Sequence, residues 1–317
     1  MLSVKWISMQ LSFLANDILL VIVITSSMAV AIIYPEFGSL FQALPIYCLM
    51  ANFFLSCLSI ELSSVWNALK SQRRQIMTFT IMKLAVLPII LFYVFDYFAP
   101  DYALSALLLT GVSTGVVAPF ISNLVKGNSS LVLVVVVLTS ALAPFTLPAL
   151  IKIVAVSQVD ISFFGMIRML ALVIFVPLLA VEALRRLTPG LIAPLMKRQF
   201  PISLLLFAII NLGVFYRYAP FFKKEPLIIA MATVAAIVLS GIYYVTGIFF
   251  FRKSSVEKQL AGTIMLGNMN YVLVIVFSSQ FFGPVEPLVA AMYVIPFFGL
   301  VIPLRYHYNS KTKNGAI

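Results

Sequence analysis

Ten apolar stretches of roughly twenty residues follow one another along this 317-residue chain, with little sequence between them. Hydrocarbon about 30 Å thick is crossed by about 20 residues of α-helix, because each residue rises 1.5 Å along the axis. The stretches 12–34, 41–61, 76–98, 103–125, 129–155, 161–184, 200–219, 226–251, 260–282 and 285–304 therefore read as membrane-spanning helices. Only 10% of the residues are charged and the mean hydropathy is +1.10, far from the roughly 25% charged residues of a soluble domain. The first stretch carries Asn16 and Asp17 early and ends at YPEFG rather than at small residues, so it is expected to stay in the membrane rather than to be cleaved as a signal.

Two of these stretches are interrupted. In the fourth, Gly111, Ser113, Thr114, Gly115 and Pro119 cluster, and in the ninth, Gly267, Asn268 and Asn270 do. Proline lacks an N–H and clashes with the carbonyl one turn earlier, so the helix should open within the cluster from Gly111 to Pro119. An opened helix persists in hydrocarbon only where protein or a wet cavity supplies the missing hydrogen bonds. Paired breaks in two halves of a membrane chain point to a substrate site near the bilayer midplane. The alternative is close packing of helices through small residues with a proline kink. Gly111 and Gly127 are sixteen residues apart, as are Gly267 and Gly283, an echo that suits two related halves: 1–155 as a first five-helix repeat, and 156–317 as a second, inverted one with a short cytoplasmic tail.

Formal net charge is +11, and its distribution carries more information than its sum. With the N-terminus inside, most cations, among them Lys5, Lys70, Arg73, Arg74, Lys126, Arg185, Arg186, Arg252, Lys253 and Lys258, face the cytoplasm; Lys152, Arg217, Lys223 and Lys224 fall outside. That asymmetry places both termini in the cytoplasm and gives the positive charge a role in orientation rather than in binding nucleic acid. Cys48 and Cys57 lie nine residues apart in one apolar stretch, which suggests two core thiols rather than a disulfide or a metal site.

Lys83 is the sharpest single residue, seven residues into the third stretch with apolar neighbours except Thr78 and Thr80. An intramembrane lysine costs roughly 2.5–3.5 kcal/mol on insertion scales, so it is read as facing a partner, an anion or water. Its alternative is a side chain stretched to the nearby interface. Arg168, in the sixth stretch, is expected to reach the outer interface in that way. Asp17, Glu61, Asp96 and Glu182 lie near the ends of stretches and the other acids in loops, so no central carboxylate is expected. His307 sits in the tail RYHYN. No zinc-protease, nucleophile-elbow or phosphate-loop motif occurs, and no enzyme chemistry or cofactor is expected.

These residues resemble the bile acid:sodium symporter family over nearly the whole chain. YPEFGSLFQALPIY, IMKLAVLP, GVSTGVVAP through LVKGN to LAPFTLP, and GNMNYVL with SQFFGP follow the family's blocks in order and spacing. The resemblance implies an all-α integral membrane protein of ten transmembrane helices in two inverted five-helix repeats. Helices 1, 2, 6 and 7 would form a panel, the rest a core in which the discontinuous helices 4 and 9 cross. It further implies transport of an amphipathic organic anion through the cleft between panel and core, with two sodium ions behind the crossover.

The sodium positions do not carry over. The family's serine–asparagine pair falls on Ala118 and Pro119, its fifth-span serine and threonine on Val132 and Val136, and its ninth-span glutamate and glutamine on Met265 and Met269. The third-span glutamine falls on Lys83, and the ninth-span asparagine is kept as Asn270. Sodium is a hard ion that needs oxygen ligands. The expectation is a carrier of an organic anion not coupled to sodium in the usual way, lined by Lys83, Ser113, Thr114, Pro119, Asn268 and Asn270, with Lys83 as a fixed cation or a proton-exchanging group. A sensor or scaffold of the same fold is the alternative. A bacterial inner membrane is the expected location; substrate identity and oligomeric state are left open.

Overall fold

The computed structural model describes the backbone of residues 2–60, 62–154 and 162–314, with side chains over 18–60, 69–70, 72–154 and 162–311. The expected repeat boundary at 155/156, and the side chains of Lys5, Asn16, Asp17 and Glu61, lie outside the described residues. Helices account for the described secondary structure, and no named strand occurs among those residues.

The first half contains α1 (Leu2–Ile33), a short α2 (Pro35–Ser39), α3 (Pro45–Cys57) and α4 (Leu62–Ile81). A single π turn (Met82–Val86) joins α4 to α5 (Leu87–Phe98). The fourth stretch is split into α6 (Ala103–Gly111) and α7 (Ala118–Leu124), and α8 (Ser129–Val154) follows. In the second half come α9 (Phe163–Leu187), α10 (Ile192–Lys197), α11 (Gln199–Phe215), α12 (Ala219–Lys224) and α13 (Leu227–Phe250). The ninth stretch is split into α14 (Val256–Gly267) and α15 (Tyr271–Phe281); α16 (Val285–Met292), α17 (Val294–Gly299) and α18 (Val301–Asn314) end the described chain.

Among the described residues, six helical runs are long and apolar enough to cross a membrane: Gln72–Phe98, Ser129–Val154, Phe163–Leu187, Gln199–Lys224, Leu227–Phe250 and Val285–Lys311. Ile18–Ile33, Pro45–Cys57 and Tyr271–Phe281 are shorter apolar helices. Length and composition together make this a multi-pass membrane protein. Two packing groups are visible. Helices α1, α3, α9 and α11 pack on one another, while α4 to α8 pack with α13, α14 and α16; α8 touches α9, and α15 meets both groups.

Three local departures from the sequence reading have physical causes. The third stretch, expected to be one plain helix, widens into the π turn just ahead of Pro88. Proline cannot donate to the carbonyl of Leu84 and its ring would press on it; a wider turn relieves that clash, and π turns of this kind recur at functional sites. The tenth stretch, expected to be continuous over 285–304, is three helices. Pro296 and Pro303 each fall in a first turn, where a missing N–H costs nothing. The tail RYHYN is helical within α18 rather than loose, and His307 Nε2 lies 3.1 Å from Gln259 Oε1.

Packing at the core is tight where glycines meet. A Cβ on Gly247 of α13 would collide with backbone atoms of Thr263, and would lie 2.6 Å from the carbonyl carbon of Gly262 on α14. Small residues let membrane helices approach this closely, since lipid offers them no hydrophobic drive to associate.

Candidate functional site at the crossed helix breaks

The two breaks meet, and each repairs the other's backbone. Helix α6 ends at Gly111 and Val112 turns extended, with φ −72° and ψ 161°. Thr114 and Met269 then form an isolated antiparallel bridge. Gly115 N–H donates to Asn268 O at 2.8 Å, and Asn270 N–H donates to Ser113 O at 2.9 Å. The donors that helix ends normally leave orphaned are thereby satisfied across the bundle. The backbones approach closely at Gly115: a Cβ there would sit 3.1 Å from both the Asn268 and Met269 carbonyl oxygens and would push them aside.

Side chains complete the repair. Thr114 N–H donates to Thr139 Oγ1 on α8 at 3.1 Å, and that hydroxyl donates onward to Val135 O at 2.6 Å. Thr114 Oγ1 donates to Met265 O at 2.8 Å. Tyr293, between α16 and α17, donates its hydroxyl to Gly267 O at 2.9 Å. Asn270 Oδ1 caps α15 by accepting from Leu273 N–H at 3.2 Å. Asn268 Nδ2 reaches Phe297 O at 3.4 Å, whereas Asn268 Oδ1 has no partner among the described residues. The opening lies at 112–117, inside the cluster from Gly111 to Pro119, and Pro119 is the second residue of the resumed helix α7.

Ser113, Thr114, Asn268 and Asn270 are thus brought together at one crossing, and Ser113 Oγ is buried without a partner among the described residues. Lys83 is brought near the same core by the π turn, which packs against α6 and α8. Pro88, just beyond that turn, has its Cγ 3.7 Å from where a Cβ on Gly111 would stand. The Lys83 side chain is 0% exposed and its ammonium has no hydrogen-bond partner among the described residues. It is enclosed by protein, which overturns the reading of a side chain stretched to the interface. Arg168, by contrast, stands exposed on α9.

Sequence reasoning missed Thr139 and Tyr293, which supply a hydroxyl to each break. A threonine within α8 and a tyrosine between two prolines carry no local signal of such a role. It also placed Glu286 in a loop; the residue lies in the first turn of α16, half-buried, with Oε2 lacking a partner among the described residues. Cys48 and Cys57 are free and buried, matching the two core thiols expected.

The residues at the family's sodium positions do not fit sodium. Ala118, Val132, Val136, Met265 and Met269 are buried and bear no side-chain oxygen. The nearby carbonyls of Met265 and Gly267 each accept a hydrogen bond, from the hydroxyls of Thr114 and Tyr293. Among the described residues there is also no group of three or more His, Cys, Asp or Glu able to hold a metal ion.

Comparison with curated proteins finds no match. The sequence profile described as the sodium bile acid symporter family matches residues 46–248, more than half of the chain and including the first break. The chain belongs to the sodium bile acid symporter family, whose members are membrane transporters rather than enzymes.

Proposed function

We propose that this protein is a secondary transporter of an organic anion that works without the family's sodium coupling, with Lys83 as its fixed intramembrane positive charge. The observation that carries the reading is the enclosed, unpartnered Lys83 ammonium in a core whose sodium positions have lost their oxygen ligands. A buried charge needs an opposite charge or a polar partner to offset its desolvation. A bile-acid-like or small carboxylate, arriving at the crossover beside Ser113, Thr114, Pro119, Asn268 and Asn270, supplies one.

In this reading the chain has ten transmembrane helices in two inverted five-helix repeats, divided near residue 155. Helices α1, α3, α9 and α11 are the panel, and the other group is the core. Alternating access comes from the two groups rocking about the crossed breaks, with α15 at their boundary. Both termini face the cytoplasm of a bacterial inner membrane. A sensor or scaffold of the same fold is the second reading, favoured by the lost sodium ligands alone.

Proteoliposomes containing the purified protein test both readings, with bile acids and small carboxylates as substrates in sodium or potassium buffers. Saturable uptake that is unchanged by exchanging sodium for potassium, and abolished in Lys83→Ala, is the expected result. Sodium-dependent uptake would refute the sodium-independent mechanism. Binding seen as thermal stabilisation without any uptake would favour the sensor.

A further inference from the structure

A second ligand surface lies on the outside of the bundle. A groove of about 490 Å³ runs between the α4–α5 helix and α13. Its wall is apolar, made by Met82, Val86 and Ile90 on one side and Phe249 on the other, and its mouth carries Arg252 and Lys253. Val86, Ile90 and Phe249 are 47%, 51% and 60% exposed. Ile90 lies eight residues beyond Met82, about 12 Å along a helix, so the apolar wall runs deep from a cationic mouth.

The mouth is rich in uncompensated positive charge. Arg252 stacks on the Phe249 ring, 4.3 Å from its centre, which leaves its N–H donors free to meet a ligand at the groove. Neither Arg252 nor Lys253 meets a carboxylate among the described residues. Gln75 lies within hydrogen-bonding distance of both Ser254 and Lys258, so the exposed Arg73 and Arg74 belong to the same corner.

We propose that this groove is a binding site for an anionic phospholipid, its headgroup held by Arg252 and Lys253 and an acyl chain laid along Met82, Val86, Ile90 and Phe249. A zwitterionic lipid matches the apolar wall but not the mouth; a soluble anion matches the mouth but not the wall. Cations at a membrane surface select anionic lipid in this way. The same groove touches Met82 and Val86, the first and last residues of the π turn that carries Lys83, so its occupant braces the segment that positions the buried ammonium.

The test uses purified full-length protein, delipidated in neutral detergent and titrated with phosphatidylglycerol, phosphatidylcholine or glycerol phosphate. Bound lipid is counted by native mass spectrometry. Phosphatidylglycerol is expected to be retained about thirtyfold more strongly than phosphatidylcholine, the selectivity that two surface cations at about 1 kcal/mol each give. Glycerol phosphate should not be retained. In the Arg252→Gln, Lys253→Gln double variant the selectivity should vanish, whereas Lys223→Gln, far from the groove, should keep it. Equal retention of both lipids by the unaltered protein, retention of glycerol phosphate alone, or full selectivity in the double variant would each overturn the assignment. Because lipid retention is read without any transport, its failure is separate from failure of the transporter reading.

Discussion

Replacing Lys83 with methionine should make this protein more stable and inactive at once. The lysine stem is packed and its ammonium is fully enclosed with no partner among the described residues. Placing such a charge in a membrane helix costs roughly 2.5–3.5 kcal/mol. Methionine keeps the unbranched apolar stem and adapts to irregular gaps, so most of that cost is recovered and a fraction is spent on imperfect repacking. The net expectation is a gain of about 1–3 kcal/mol, in keeping with the replacement of buried charges by apolar residues elsewhere. A change of that size corresponds to a rise in the unfolding midpoint of roughly 2–6 °C for a chain of this length. Thermal unfolding in one detergent, scanned at one rate, measures it, and uptake into proteoliposomes measures the accompanying loss. A fall of similar size in the Lys83→Met midpoint would refute the reasoning, because it would mean that the ammonium is held by a favourable partner in the resting protein.

Other perturbations have equally direct readings. Gly247→Ala drives a methyl group into the Thr263 and Gly262 backbone; it should cost about 3 kcal/mol or more through overpacking and show as a sharp loss of folded, monodisperse protein. Thr114→Val removes the donor to Met265 O and leaves that carbonyl exposed to the buried break, so a loss of about 1–3 kcal/mol is expected, measured as a lower unfolding midpoint. Gly115→Ala presses on the Asn268 and Met269 carbonyls and should reduce transport more than Gly241→Ala, whose new methyl group meets nothing within 4 Å. Cys48 and Cys57, both buried, should label with maleimide only as the protein unfolds; rapid labelling of the native protein would show that α3 opens to water.

The helix breaks illustrate how much of a membrane protein is legible locally. Gly111 with Gly115, and Gly267 with the two asparagines, are visible as interruptions because hydrocarbon permits few alternatives to continuous helix. The opening falls inside the cluster from Gly111 to Pro119, with Pro119 itself the second residue of the resumed helix α7. The π turn at Met82–Val86 and the division of the tenth stretch were signalled by Pro88, Pro296 and Pro303. Neither was read, because a proline in a first turn is compatible with both a start and a continuation.

What the sequence alone determined is what hydrocarbon imposes one segment at a time: the apolar lengths, the interrupted fourth and ninth stretches, and the family. What only the tertiary structure decided is which groups answer one another. Thr114 finds Met265 across 151 residues of chain, Tyr293 finds Gly267, and Lys83 turns inward rather than towards lipid. Those outcomes depend on how each helix is rotated against its neighbours, and rotation is fixed by close packing at contacts such as Gly247 against Gly262, not by any property of a single apolar stretch.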